Sequence, residues 1–315
     1  MNDITTPMDT LHPALVHVIF YTTQAFTAFI QQGSYLYWPY SLSTLALAVW
    51  LNRQGFFSRA LWWHPSARQD YKLYFANFLV GPALLTLLWV NEESVVAAFD
   101  HLLGVNAATN PLAASWLVRG LFTVCIFVAY DLGRYLSHTL LHRVPFLWEI
   151  HKVHHSAPVM TPMTAYRLHP FEIVFMASTP VLLTGATTWL FNRYLGAGIS
   201  VYTLLGLHVA LALLSFIDNL RHSPVWISYG AFLNRWIISP AHHQLHHSME
   251  EQHIGCNVGF SLAIWDRMAG TLVVPADKPE TFRLGLDDTQ DPQYTGLMSI
   301  YVKPVVASVR SLLKL

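Results

Sequence analysis

Charge is scarce in this chain of 315 residues. Lys and Arg together number 18 and Asp and Glu 18, so charged residues make up 11 % and the net charge is zero with histidine neutral. A soluble domain carries about 25 % charged residues, so an ordinary water-soluble surface is not expected. There is no basic run and no basic patch interleaved with aromatics, which excludes nucleic acid as the expected partner. Cysteine is nearly absent: Cys125 lies in an apolar run and Cys256 in a polar one, without any C-x-x-C. Neither a zinc ribbon nor a disulfide framework is indicated. The chain also lacks H-E-x-x-H, the pattern of a zinc peptidase, and a repeat of solenoid period. The opening stretch, MNDITTPMDTLHP, has no basic region followed by a short apolar core, so a cleaved signal peptide is not expected.

What is abundant is apolar surface. Hydrophobic residues make up 53 % and aromatics 14 %, and the mean hydropathy is +0.36. Apolar segments at 13–31, 35–52, 73–90, 112–136, 171–191 and 198–217 each approach the roughly 20 residues needed to cross a bilayer. Residues 53–72 carry Arg53, Arg59, Arg68 and Lys72 against Asp70 alone, whereas 91–110 hold Glu92, Glu93 and Asp100 without Lys or Arg. Positive charge stays in the cytoplasm, which places the first loop inside and the second outside. The expected fold is an all-α integral membrane protein: a multi-pass helical bundle with a cytoplasmic, histidine-rich cap built from 136–170 and 218–290. By region, 1–110 supplies transmembrane helices and an interfacial loop, 111–290 the histidine-rich part with further spans, and 291–315 an amphipathic interfacial helix carrying Lys303, Arg310 and Lys314.

Histidine is the other surplus, 17 in all. Eight fall into three tight groups: His138 and His142; His151, His154 and His155; His243, His246 and His247. On a helix, positions i and i+4 lie about 40° apart and i, i+3, i+4 within about 100°, so each group is expected to present all its imidazoles to one point. A lone histidine on an apolar face is usually a satisfied core residue. Eight clustered imidazoles left without a metal would bury polar nitrogens and repel one another when protonated. They also exceed the four ligands of a tetrahedral zinc, so two metals are expected. Imidazole suits Zn, Cu, Fe or Ni, and the residues alone do not choose among them.

The motifs H-T-L-L-H (138–142), H-K-V-H-H (151–155) and H-Q-L-H-H (243–247) resemble the histidine boxes of the fatty acid hydroxylase and sterol desaturase superfamily of membrane di-iron enzymes. The flanks are similar too: Asp131, V-P-F-L-W-E-I-H around Trp148, Y-R-L-H-P-F-E at 166–172, N-L-R-H at 219–222, and N-V-G-F-S-L-A-I-W-D-R-M-A-G-T at 257–271. The resemblance covers roughly 125–275. It implies two Fe ions, O2 as co-substrate, and hydroxylation or desaturation of an unactivated carbon of a lipid such as a fatty acyl chain, sphingoid base or sterol. It also implies a bacterial cytoplasmic membrane or endoplasmic reticulum setting, with zinc able to replace iron in purified protein. Because the chain shows no flavin, haem or iron–sulfur motif, electrons are expected from a separate cytochrome b5-, ferredoxin- or reductase-like donor.

Carried onto this sequence, the resemblance assigns His138, His142, His151, His154, His155, His222, His243, His246 and His247 to the metals and to catalysis. Asp218 stands where similar sequences often have another histidine. It is a candidate ligand on the face of His222, or a partner of a ligand. Asp131 and Asp266 are candidate carboxylates behind ligating imidazoles. His169, with Arg167 and Glu172, is expected to orient ligands or a headgroup, His242 to support the third box, and His253 is a further candidate. A hydrolase, a metal transporter and a haem-binding electron carrier are the competing classes.

Overall fold

The computed structural model describes residues 19, 23, 27–88, 90–103, 115–286 and 294–314. Most of the expected first span, 13–31, therefore lies outside the described residues. The elements are α1 (Trp38–Phe56), α2 (Arg59–Trp62), α3 (Pro65–Leu87), α4 (Glu92–Leu103), α5 (Trp116–Arg143), α6 (Pro145–His155), a 3-10 turn (Pro162–Tyr166), α7 (Pro170–Tyr194), strands β1 (Thr203–Leu204) and β2 (Leu207–His208), α8 (Val209–Asp218), α9 (Gly230–Leu233), α10 (Pro240–His246), a second 3-10 turn (Glu251–His253), α11 (Ile264–Ala269) and α12 (Leu297–Leu313).

Two of the described helices, α5 and α7, are long and apolar enough to cross a membrane. They pack on each other at a point where no side chain fits: a Cβ on Gly133 would lie 2.5 Å from Pro180 Cα and 2.6 Å from its nitrogen. Small residues at such crossings let helices approach in a lipid surround, where packing rather than water drives association. The polarity of the molecule is inverted. Trp50, Phe75, Leu79, Leu117, Leu121, Leu182 and Leu190 face outward, while Asp70, Asp131, Glu172, Arg167 and the box histidines other than the half-buried His142 are buried. Such an arrangement suits a helical membrane protein, in which backbone polar groups are satisfied within each helix.

Three expectations change. The third expected segment, 73–90, belongs to a helix that begins at Pro65. The second loop contains α4, which packs on α7 through Trp189, whose Nε1 donates to Asp100 (2.9 Å). The expected sixth span, 198–217, is not one helix. Thr203 pairs with His208 and Leu204 with Leu207 in a hairpin that turns on Leu205 and Gly206, both at positive φ. Two-residue hairpins require that conformation. A Cβ on Gly206 would stand 2.8 Å from Gly33 N, so the turn is tied to the 32–33 backbone. Only the ten residues of α8 remain helical, a rise of about 15 Å, half the hydrocarbon thickness.

The C-terminal helix α12 docks rather than floats. Ile300 and Tyr294 pack with Leu73 of α3 and Val153 of α6, and the Tyr301 hydroxyl donates to Asn77 Oδ1 (2.9 Å).

Candidate metal centre

The first histidine pair sits on the last turns of α5. That helix must stop at Val144, because the residue before a proline is pushed out of the α region, and Val144 is extended (φ −96°, ψ 115°). Pro145 then occupies the first position of α6, where its missing N–H costs nothing. A one-residue corner thus sets box one against box two. The third box lies on α10, whose start is fixed by Ser239, Pro240 and His242. His242 Nδ1 accepts from Ser239 N (3.0 Å), so His242 caps a helix; burial pushes its pKa down to about 4.

The boxes are not aimed at one point each. The structure divides their imidazoles into two groups: His138, His142, His151, His155 and His246; and His154, His222, His243 and His247. Every i, i+4 pair stays together, because such pairs are only about 40° apart. The middle histidine of each H-x-x-H-H box, rotated about 100° from its neighbour, crosses to the other group. His155 and His247 stack at 4.4 Å between centroids, so the groups share a wall.

Within each group the candidate ligand atoms lie within 4.8 Å of one another. Opposite ligands on one ion bonded at about 2.1 Å are roughly 4.2 Å apart. Adjacent nitrogens are closer. Nε2 of His151 lies 3.2 Å from Nε2 of His138 and 3.1 Å from that of His142, which in turn is 3.1 Å from Nε2 of His246. In the second group His222 Nε2 is 3.2 Å from His154 Nε2 and 2.8 Å from His243 Nε2, and His247 follows His243 at 3.2 Å.

The tautomers decide what those contacts are. His138 Nδ1–H donates to Val258 O (2.8 Å), His246 Nδ1–H to Cys256 O (2.7 Å), and His151 Nδ1–H to the Glu172 carboxylate (2.7 Å). A neutral imidazole has one N–H, so Nε2 of each is a bare lone pair. Burial first, and then neighbouring imidazoles, hold the pKa of His151, His155, His222, His243 and His247 well below the ordinary value. For His154, burial brings it to about 3. The rings are therefore neutral at pH 7. The His138–His151 contact sets two lone pairs 3.2 Å apart with no proton between them, and His155 Nε2 is buried without any hydrogen-bond partner. A cation held by the first group would remove that repulsion, and the second group is also close enough to hold one. Nine imidazoles, with no thiolate among them, fit iron as they fit zinc, copper or nickel.

The carbonyls behind His138 and His246 belong to the segment 256–262, which two buried carboxylates hold. Asp131 accepts from Ser261 N (2.7 Å), Leu262 N (3.1 Å) and Trp265 Nε1 (2.7 Å). Asp266 accepts from Val258 N (3.0 Å), Gly259 N (2.7 Å) and the Thr271 hydroxyl (2.6 Å). Both act on the loop rather than directly on an imidazole, which differs from the expectation. Asp218 is not brought into either group: its carboxylate pairs with Arg221. His253 bonds to the Ser248 hydroxyl (2.9 Å). His169 caps α7, accepting from Phe171 N (3.0 Å) and donating from Nε2 to Tyr301 O (3.0 Å). Arg167 donates to Val153 O (3.1 Å) at the end of α6 and to Asp70 (2.9 Å). In the sequence Asp70 stands out only as the one acid among the four bases Arg53, Arg59, Arg68 and Lys72.

Beside the centre lies a partly open cavity of about 500 Å³. His142, His155, His246 and His247 form one wall, and Tyr135, Trp148, Met249, Ile254 and Leu286 line much of the rest.

Residues 123–271 match the family model described as fatty acid hydroxylase. The chain is similar to alkylglycerol monooxygenase of Xenopus tropicalis, 28 % identical over 153 residues (48 % of this chain, 30 % of the relative). It is similar to human cholesterol 25-hydroxylase, 29 % identical over 149 residues (45 % and 48 %). A third relative is Delta(7)-sterol 5(6)-desaturase of Gibberella zeae, 32 % identical over 155 residues (48 % and 41 %). The match thus spans less than half the length of each of these relatives. No solved structure matches significantly.

Proposed function

Because residues 123–271 are a fatty acid hydroxylase domain, we propose that the protein is an O2-dependent di-iron oxygenase that hydroxylates an unactivated C–H bond of a membrane lipid. The observation that carries this reading is the gathering of nine imidazoles into two groups, the first with three bare lone pairs converging, beside one largely apolar cavity. Two irons held by the nine histidines would supply O2 activation and the oxidant for C–H cleavage, which no side chain of this chain supplies. Asp218 acts through Arg221 in this reading, outside the ligand set.

The protein's own residues do the rest. Tyr135, Trp148, Met249, Ile254 and Leu286 offer an alkyl or ring system a surface that repels water, and burial of the substrate carbon there excludes solvent from the reacting atoms. Val258 O, Cys256 O and Glu172 keep three imidazoles in the tautomer that points a lone pair inward. The substrate reaches the cavity from the bilayer that surrounds α5 and α7. Arg143 and Lys152, beside the boxes, support a site on the cytoplasmic side of a multi-pass protein. Electrons come from a separate donor protein.

Desaturation through the same hydrogen abstraction is the second reading, favoured by the similarity to a sterol desaturase. Lipid extracts of cells with and without the gene, grown under 18O2, separate the two. A lipid gaining one labelled oxygen marks hydroxylation, and a lipid losing two hydrogens without label marks desaturation. No oxygen-dependent change in any lipid would contradict both.

A further inference from the structure

The two metal positions are not backed alike. In the first group, three imidazoles have their outer nitrogens engaged: His138 by Val258 O, His246 by Cys256 O, and His151 by Glu172. The last differs in kind, since Glu172 is a carboxylate, buried to 1 % exposure and 2.7 Å from Nδ1 of a ring itself 1 % exposed. In the second group His243 Nδ1 is buried with no hydrogen-bond partner. Among the described residues, His151–Glu172 is the one direct contact of 4.0 Å or less between a carboxylate and a histidine of either group.

A carboxylate behind a ligating imidazole fixes its tautomer and ring orientation and raises its basicity. Glu172 stands at the start of α7, beyond both boxes in sequence, so it ties the ligand helix α6 to the long helix α7 at one atom pair. Its other oxygen, Oε2, is buried, and the carboxylate has the His151 N–H and the backbone of His169 as its neighbours.

We propose that Glu172 is a positioning residue that makes the two metal ions unequal, so that the ion bound by His138, His142, His151, His155 and His246 is held more tightly than the ion bound by His154, His222, His243 and His247. This rests on the two-ion reading above. The five-to-four count of imidazoles favours the same ion, so the contribution of Glu172 is isolated by changing it alone.

The test is a chelator titration of the full chain in detergent micelles, loaded with Fe(II) or Co(II) under argon, with metal per chain counted at each EDTA concentration. The wild type is expected to lose its ions in two steps. His243→Ala removes a second-group ligand and is expected to abolish the weak step while keeping the resistant one. Glu172→Ala is expected to weaken the resistant step about 10- to 100-fold and to shift the Co(II) visible spectrum. Glu172→Gln, which still accepts the Nδ1–H but carries no charge, is expected to fall between. The far-ultraviolet circular dichroism of each variant, recorded without metal, reports folding; if Glu172→Ala does not fold, Glu172→Gln decides by the same shift. A resistant step unmoved in a folded Glu172 variant, or removed by His243→Ala, overturns the proposal. A wild type that binds fewer than two ions overturns the two-ion reading itself.

Discussion

At the scale of single residues, the centre is organised by what lies behind the imidazoles. The histidines were legible in the sequence because helical spacing is local: His138 and His142, or His151 and His155, reveal themselves within five positions. Their partners were not: Val258 O arrives 120 residues after His138, and Cys256 O, although only ten residues from His246, is a backbone atom whose aim no side-chain pattern reveals. Asp131 and Asp266 were visible as acids near the boxes, yet their targets are N–H groups of that turn. Asp131→Asn replaces an acceptor that takes three N–H donors by a side chain that takes fewer and presents an NH2 to one of them. Charge-assisted bonds of this kind contribute about 1.5–3 kcal/mol each when one partner is removed. Asp131→Asn is therefore expected to lower both the melting temperature and the metal content, through His138. Asp218→Asn, whose partner is Arg221, is expected to keep both ions. Metal analysis of the two variants side by side checks this, and loss of an ion from Asp218→Asn alone would return that carboxylate to the ligand set.

At the scale of elements, α5 and α7 form the frame, because α5 ends in the first histidine pair and α7 begins with Glu172. Their crossing at Gly133 and Pro180 has backbone against backbone. Gly133→Ala must push the helices apart. Overpacking of this sort costs about 1–3 kcal/mol, and it is expected to lower the thermal midpoint and loosen the His151–Glu172 contact; an unchanged midpoint would show that the crossing is slack. Apolar run length located α1, α3, α5 and α7 but misread 198–217. That run is apolar throughout, and hydropathy does not distinguish a span from a hairpin followed by ten helical residues. The turn at Leu205–Gly206 is set by its tie to Gly33, a contact some 170 residues distant in sequence. Likewise, the division of each H-x-x-H-H box between two groups follows from helix geometry, but only the relative placement of α5, α6 and α10 decides which histidine crosses.

At the scale of the whole molecule, an apolar exterior encloses a polar, histidine-filled centre, and the two observations call for each other. In the proposed reading a lipid surround would give the substrate direct access to the cavity beside His142 and His247. It also requires that a set of buried imidazoles be neutral, which the downward pKa shifts of His151, His155, His243 and His247 ensure. In the proposed reading each of the two groups of imidazoles would hold one ion, two in all. Iron counted per chain, in full-length protein produced with 57Fe and kept under argon, tests this claim most directly. Two irons per chain are expected, with a Mössbauer spectrum of nitrogen-ligated, exchange-coupled iron after oxidation. Saturation at one iron per chain, or none, under the same loading would contradict it.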